Sequence, residues 1–448
     1  MSKILYILLA IVVLLVLITV HEFGHYCAGK IFHFKINEFS IGFGPAIFKR
    51  KRKDGEVFSI RALPLGGYCA FEGEDEEEKD ADGKAKVGAF NSMAPWKRLV
   101  VLLAGVSFNF LFAVLTSAIY LMVSGFTTVQ ITSTINQQGI STIGFQKNDI
   151  VIAVNGKKVE AHRPFANMIS KYGQDEDFTV TVERDGKKID IVTKKQKFPA
   201  FYFVTYNEYY DGRIFLKNGD IYEPLNIETF ISNINSQSTA GETTENAGTG
   251  EALKSYLSTV YFKDGENYLT LDTQIEDLIN GNEEKGIYAS IMYSKTSTSI
   301  GIIQQYIVRD YSFFGAIFNA LPYAFYLCGV IITSLFGLFS GAISVSEAGG
   351  TITAVSQIAE ISEMGIEYFL LLLPLLSANL AVFNVLPVPS LDGARSVFVL
   401  IEMAFKKPVP RHIEGWIHTI GLFVLLALVV FLDINHFASA SYILQLWK

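Results

Sequence analysis

The segment LITVHEFGHYCAG, beginning at Leu17, closes an apolar run from Ile4 to Val20 with two histidines and a glutamate. A charged side chain at the centre of a membrane helix costs about 2.5–3.5 kcal/mol, so a chain that puts ionisable groups there must give them partners. Three further apolar runs, Leu99 to Val123, Tyr368 to Val388 and Ile417 to Leu432, are each about long enough to cross roughly 30 Å of hydrocarbon. Half of the 448 residues are hydrophobic and the mean hydropathy is +0.31, which excludes a disordered chain and argues against an ordinary soluble enzyme. The first run is preceded only by Lys3 and is not followed by a small-residue cleavage pattern, so it reads as a permanent helix rather than a signal peptide. The expected fold class is an α-helical polytopic membrane protein with four transmembrane helices.

Charge sets the orientation. The loop from Gly29 to Lys97 and the connector FKKPVPRH from Phe405 are rich in lysine and arginine, which places both in the cytoplasm and both termini outside. The region from Gly125 to Arg309 is then extracytoplasmic. Net charge is −7, and the basic KRKRK from Lys49 is offset by the acidic EGEDEEEKD from Glu72, so no nucleic-acid partner is indicated. Cys27, Cys69 and Cys328 form neither a CxxC nor an even framework.

From Phe126 to about Lys197 apolar residues alternate, with Asn155-Gly156 and Asp185-Gly186 at turn positions, which predicts a small mixed β domain. The polar QSTAGETTENAGTG from Gln237 reads as a low-complexity loop, and KGIYASIMYSK from Lys285 as a returning strand. The stretch between Phe313 and Phe339, broken by Pro322, Gly329 and Gly337, is expected to be a helix lying on or partly in the membrane surface. A fifth crossing there would carry the basic connector after Phe405 to the outside.

On a helix, His21 and His25 share one face and can bind one metal ion, with Glu22 beside them able to hold a water. Two imidazoles plus a carboxylate, with a fourth position open, suit catalytic Zn2+, which lowers the pKa of a bound water to about 7. The candidate third ligand is Asp392 in FNVLPVPSLDGARS; the competing reading is a helix-ending Asp-Gly turn, and the incomplete metal set favours the ligand. Pro387 and Pro389 stop the preceding helix and free backbone groups that an extended peptide can pair with. Asn384 either holds a substrate backbone or bonds another helix.

HEFGH and NVLPVPSLDG together resemble the site-2 protease family of intramembrane zinc metalloproteases. FSIGFGPAIFKR from Phe39, IRALPLGGYCAFEGE from Ile60, APWKRLVVLLAGVSFNFLFAVL from Ala94 and FSGAISVSEAGG from Phe339 are similar to its bacterial regulator-of-sigma-E branch. The resemblance implies cleavage of single-span membrane proteins, such as anti-sigma factors or remnant signal peptides, in the bacterial inner membrane. It also implies that His21, His25 and Asp392 bind zinc, that Glu22 is the general base and that Asn384 supports substrate. A membrane-associated β-hairpin around Pro64, Leu65, Gly66, Gly67 and Tyr68 would present a strand edge. IGFQKNDIVIAVNGKKV from Ile143 resembles the core of a PDZ domain, with Asn148 where glycine is usual.

The expected organisation is a membrane core half over residues 1–125, an extracytoplasmic PDZ-like domain over 126–310 interrupted by an insertion at about 199–283, surface helices over 311–367, and a second core half over 368–448. Metal transport by His and Asp residues along a pathway, or a catalytically silent membrane chaperone, are the competing functions.

Overall fold

The structure is a computed structural model that describes residues 3–74, 88–134, 144–173, 176–198, 214–218, 221–224, 260–264, 267–270, 297–300, 302–342 and 349–446. The chain divides into two compact units, one formed by Met1–Phe126, Glu160–His162 and Val308–Lys448, the other by Thr127–Val159 and Arg163–Ile307.

The first unit is built on helices α1 (Lys3–Ile31), α2 (Pro95–Ser124), α4 (Phe313–Phe339), α5 (Thr351–Met364), α6 (Ile366–Val385), α7 (Asp392–Phe405) and α8 (Arg411–Leu446); the short α3 belongs to the second unit. Proline at the start of α2 costs no hydrogen bond, because the first-turn N–H groups have no intrahelical partner. α6 stops at Val385 because Leu386 is already extended ahead of Pro387 and Pro389. Among the described residues five helices are long and apolar enough to cross a membrane: α1, α2, α4, α6 and α8. The protein is an integral membrane protein.

The fifth candidate, α4, is one continuous helix through Pro322, Gly329 and Gly337, the helix expected over this stretch. Neighbouring helices support it. Ala316, Ala320 and Ala324 lie four apart on one face, and the buried cluster joins Ala316, Ala324, Leu327 and Ile331 to Ala113 and Leu121 of α2 and to Ala378 and Val382 of α6. α5 packs on the first half of α1 through Ile358 and Ala10. Its N-terminus is capped from another helix: the buried Asp433 of α8 accepts from Ile352 N (3.2 Å), Thr353 N (3.0 Å) and Thr353 Oγ1 (2.8 Å).

β1 (Ile36–Lys51) and β2 (Val57–Phe71) form a long, irregular hairpin after α1. Residues 67–71 pair with 36–41, while 57–61 pair with 46–51 and 57–60 also with 38–41, so among the described residues no second strand pairs with 67–71. Glu38 ties the sheet together, accepting from Ser59 Oγ (2.6 Å) and Arg61 (2.8 Å).

In the second unit the strand path is β14-β3-β4-β6-β7 (Ile302–Arg309, Phe126–Thr134, Ile150–Val154, Asp177–Arg184, Lys187–Lys194), with β5 (Lys157–Lys158) beside β4 and helix α3 (Phe165–Ile169) packed by Phe165 and Met168 into the core. The alternation read from the sequence faces Val129, Ile131, Val151, Val180 and Val182 inward. Both hairpin turns hold positive φ at their two central residues, Asn155 (45°) with Gly156 (73°) and Asp185 (50°) with Gly186 (74°), as the type I′ geometry requires. Asn148 has φ +73°, which explains why it can stand where glycine is usual. Beside it Asp149, 0% exposed, accepts two bonds from Arg184 (2.6 and 2.7 Å) and one from Gln146 N (2.8 Å), so its buried charge is fully paired.

The expected insertion contains a separate four-stranded sheet, β10-β9-β11-β12 (Ile221–Pro224, Ile214–Asn218, Val260–Asp264, Asn267–Thr270). β8 (Gln196–Phe198) pairs with β13 (Ser297–Ser299). The loop from Gln237 and the strand expected near Ile287 lie outside the described residues.

Candidate active site

The last third of α1 carries His21, Glu22 and His25, and the start of α7 carries Asp392. The chain turns at Pro387–Leu391 so that Asp392, remote in sequence, meets the α1 face. His21 Nε2 stands 2.9 Å from Asp392 Oδ2, His25 Nε2 stands 3.2 Å from the same oxygen, and the two Nε2 atoms are 3.1 Å apart. Donors about 2.0–2.1 Å from a tetrahedral ion lie about 3.3 Å from one another, so the three atoms are spaced as zinc ligands are. Both histidines are buried, and among the described residues theirs is the one cluster with metal-ligand spacing.

Close helix crossing makes this possible. A Cβ on Gly24 would stand 2.5 Å from the Ala104 carbonyl oxygen, and one on Gly105 would stand 2.5 Å from His25 Nε2 and 2.8 Å from His21 Cε1. α2 also orients the two histidines. His25 Nδ1 donates to the Val101 carbonyl at 2.8 Å, so in the neutral ring it is the Nε2 lone pair that turns toward Asp392. Asn109, fully buried, places its side-chain amide 3.3 Å from His21 Nδ1.

Glu22 turns the other way. Its Oε2 accepts from the backbone N–H of Cys69 at 3.0 Å, within residues 67–71. Gly67 permits that approach, since a Cβ there would stand 2.7 Å from the Ser40 carbonyl and 3.7 Å from Glu22 Cγ. A cavity of about 480 Å³ is lined by His21, Glu22, His25, Asp392, Asn384 and Tyr68, among others.

The structure therefore brings together His21, Glu22, His25, Asp392 and Asn384, with Gly67 adjoining Glu22. Pro387, Pro389 and Gly66 are not among the cavity-lining residues. The loop also keeps fewer free backbone groups than its prolines suggest: Val388 N and Leu391 N donate to Leu386 O and Val388 O, and Ser390 N donates to His418 Nδ1. Sequence reasoning missed Asn109, Gly105, the Val101 carbonyl and the Cys69 N–H. Only Asn109 carried a signal, as a polar residue inside the apolar run from Leu99.

The pattern of peptidase family M50 matches residues 9–428. A Fusobacterium nucleatum protein bearing a zinc-metalloprotease name is 25% identical over 431 residues, covering 96% of this chain and 97% of its own length. The regulator of sigma E protease of Haemophilus influenzae is 24% identical over 443 residues (95% and 97%). Its counterpart in Salmonella typhimurium is 25% identical over 470 residues (96% and 97%).

Proposed function

The chain belongs to peptidase family M50, the zinc-dependent membrane metalloproteases of regulated intramembrane proteolysis, and on that premise we propose that His21, His25 and Asp392 hold the zinc and Glu22 is the general base. One observation carries the reading: three ligand atoms converge within 3.2 Å beside a glutamate fixed at a strand edge. Zinc, when bound, supplies Lewis acidity that polarises water and the scissile carbonyl. Cys69 N–H holds one oxygen of Glu22, leaving the other to take the proton of the attacking water and return it to the leaving amine. Peptide hydrolysis needs an extended substrate, and strand addition can take place beside Glu22 along residues 67–71 through the backbone carbonyls on that edge, since Glu22 holds Cys69 N–H and Glu74 holds Phe71 N–H. Asn384, in the same cavity, has a donor and an acceptor for the substrate backbone. Membership in a peptidase family sets aside the transporter and chaperone readings.

The proposed substrates are membrane-embedded segments of single-span proteins, including anti-sigma factors and remnant signal peptides; the names of the sigma E relatives support this class. The proposed location is the bacterial inner membrane with both termini outside and four net crossings. Helix direction supports that count. His25 lies beside Val101 and His21 beside Asn109, so α1 and α2 are antiparallel, and the ends of α1 and α6 meet through Asp392, so those two run the same way. A full crossing by α4 would require a return between residues 340 and 365, where the one helix among the described residues, α5, has 14 residues, about 21 Å.

Purified Glu22→Gln is expected to keep stoichiometric zinc and lose cleavage of a model membrane substrate; substantial residual turnover refutes Glu22 as base. An impermeant thiol label in a Cys-free background should reach a cysteine at Asn246 from outside but not one at Lys51, and the reverse pattern overturns the orientation.

A further inference from the structure

Among the described residues Asn109 is the one α2 side chain with a hydrogen bond to His21, and it is 0% exposed. Its own backbone carbonyl accepts from Ser377 Oγ of α6 at 2.7 Å, so the residue is pinned at this depth. As drawn, its amide nitrogen faces His21 Nδ1 at 3.3 Å, while its Oδ1 is buried without a hydrogen-bond partner. An amide nitrogen can only donate, so that orientation requires Nδ1 to be bare and puts the His21 proton on Nε2. A protonated Nε2 has no lone pair to offer, although it is the atom that faces Asp392 and His25.

The oxygen and nitrogen of an asparagine amide occupy nearly the same space, and their assignment follows from the network rather than from shape. Rotating the amide by half a turn sets Oδ1 against Nδ1, which then carries the proton and donates. Nε2 is left with its lone pair turned to the metal position. His25 already shows this arrangement, because a carbonyl such as Val101 O can only accept from its Nδ1. We infer that Asn109 fixes the zinc-binding tautomer of His21 by accepting a hydrogen bond from Nδ1 through Oδ1. Asn109 is a positioning residue: it acts through His21. The inference rests on His21 being a zinc ligand.

The test uses the full chain purified in detergent, with zinc affinity measured by chelator competition, the visible spectrum of the Co2+-loaded protein, and the melting temperature of the metal-free form. Asn109→Leu should lower zinc affinity about 10–100-fold and alter the Co2+ spectrum, the usual effect of losing an orienting partner of a metal-bound histidine. Asn109→Asp, which can accept but not donate, should bind zinc nearly as wild type. Nitrogen-15 shifts of the zinc-loaded wild type, with His21 assigned by comparison with His21→Ala, should show a protonated Nδ1; this measurement does not depend on any Asn109 variant folding. Unchanged zinc affinity in Asn109→Leu, or a bare Nδ1 in the wild type, overturns the inference. So does an Asn109→Asp that melts like wild type yet binds as weakly as the leucine variant. If His21→Ala itself binds zinc like wild type, the ligand assignment fails first, and the two failures are thereby distinguished.

Discussion

A methyl group added at Gly105 tests whether the close crossing of α1 and α2 is set by the metal site. The new Cβ would stand 2.5 Å from His25 Nε2, 2.7 Å from His25 Cε1 and 2.8 Å from His21 Cε1. Carbon atoms rest about 3.5–4.0 Å apart, so the imidazoles or the helices must yield by about 1 Å. Metal–ligand distances tolerate only about 0.2 Å. Neither histidine can swing freely, because His25 Nδ1 is held by Val101 and His21 Nδ1 faces Asn109. Gly105→Ala is therefore expected to lower zinc affinity at least about tenfold, in the range set by disturbed ligand orientation, and to cost about 1–3 kcal/mol of stability through overpacking. Chelator competition reads the first quantity and thermal unfolding in detergent the second, with cleavage lost in step with zinc. Gly415→Ala on α8 is the control: a Cβ there meets nothing within 4 Å, so zinc binding should be unchanged and the helix more stable by up to about 1 kcal/mol. Wild-type zinc affinity in Gly105→Ala would refute the placement of the ligands against this helix.

Asp392→Ala should lower both zinc content and activity, since two imidazoles alone form an incomplete set; unchanged metal content would reduce the Asp-Gly motif to a turn. Asp433→Ala removes the cap of α5 and should cost about 0.5–2 kcal/mol in thermal unfolding, with Asp433→Asn in between because it retains one acceptor oxygen. At Glu38, burial raises the pKa, but Ser59 and Arg61 outweigh it and hold the carboxyl below its ordinary 4.5. Its contribution to stability is thus full above that value and is lost as pH falls through the lower folded pKa. Glu38→Gln should flatten the acid side of the melting profile, and an unchanged profile would show that the Arg61 pair contributes nothing.

The features legible in the sequence are those whose geometry is settled within a few residues. His21 and His25 share a face because any helix puts four-apart residues there, and Asn155-Gly156 and Asp185-Gly186 turn because their φ preferences are local. The prolines at 387 and 389 stop α6 by their own stereochemistry, and Asp392 stood out as an isolated carboxylate after a nearly uncharged run, wanted by an incomplete metal set although His21 lies 371 residues away. α4 was legible as a helix in spite of Pro322 and the glycines, while its packing on α2 and α6 was not. The four-stranded sheet within the insertion left no comparable pattern. Tertiary structure alone decided that Val101 and Asn109 face the histidines, that Gly105 makes room for them, and that Cys69 N–H reaches Glu22. Those contacts join groups 47 to 88 residues apart on separate elements. Their existence depends on helix crossing and strand register, which arise from how whole faces pack and not from the conformational preference of any residue within them.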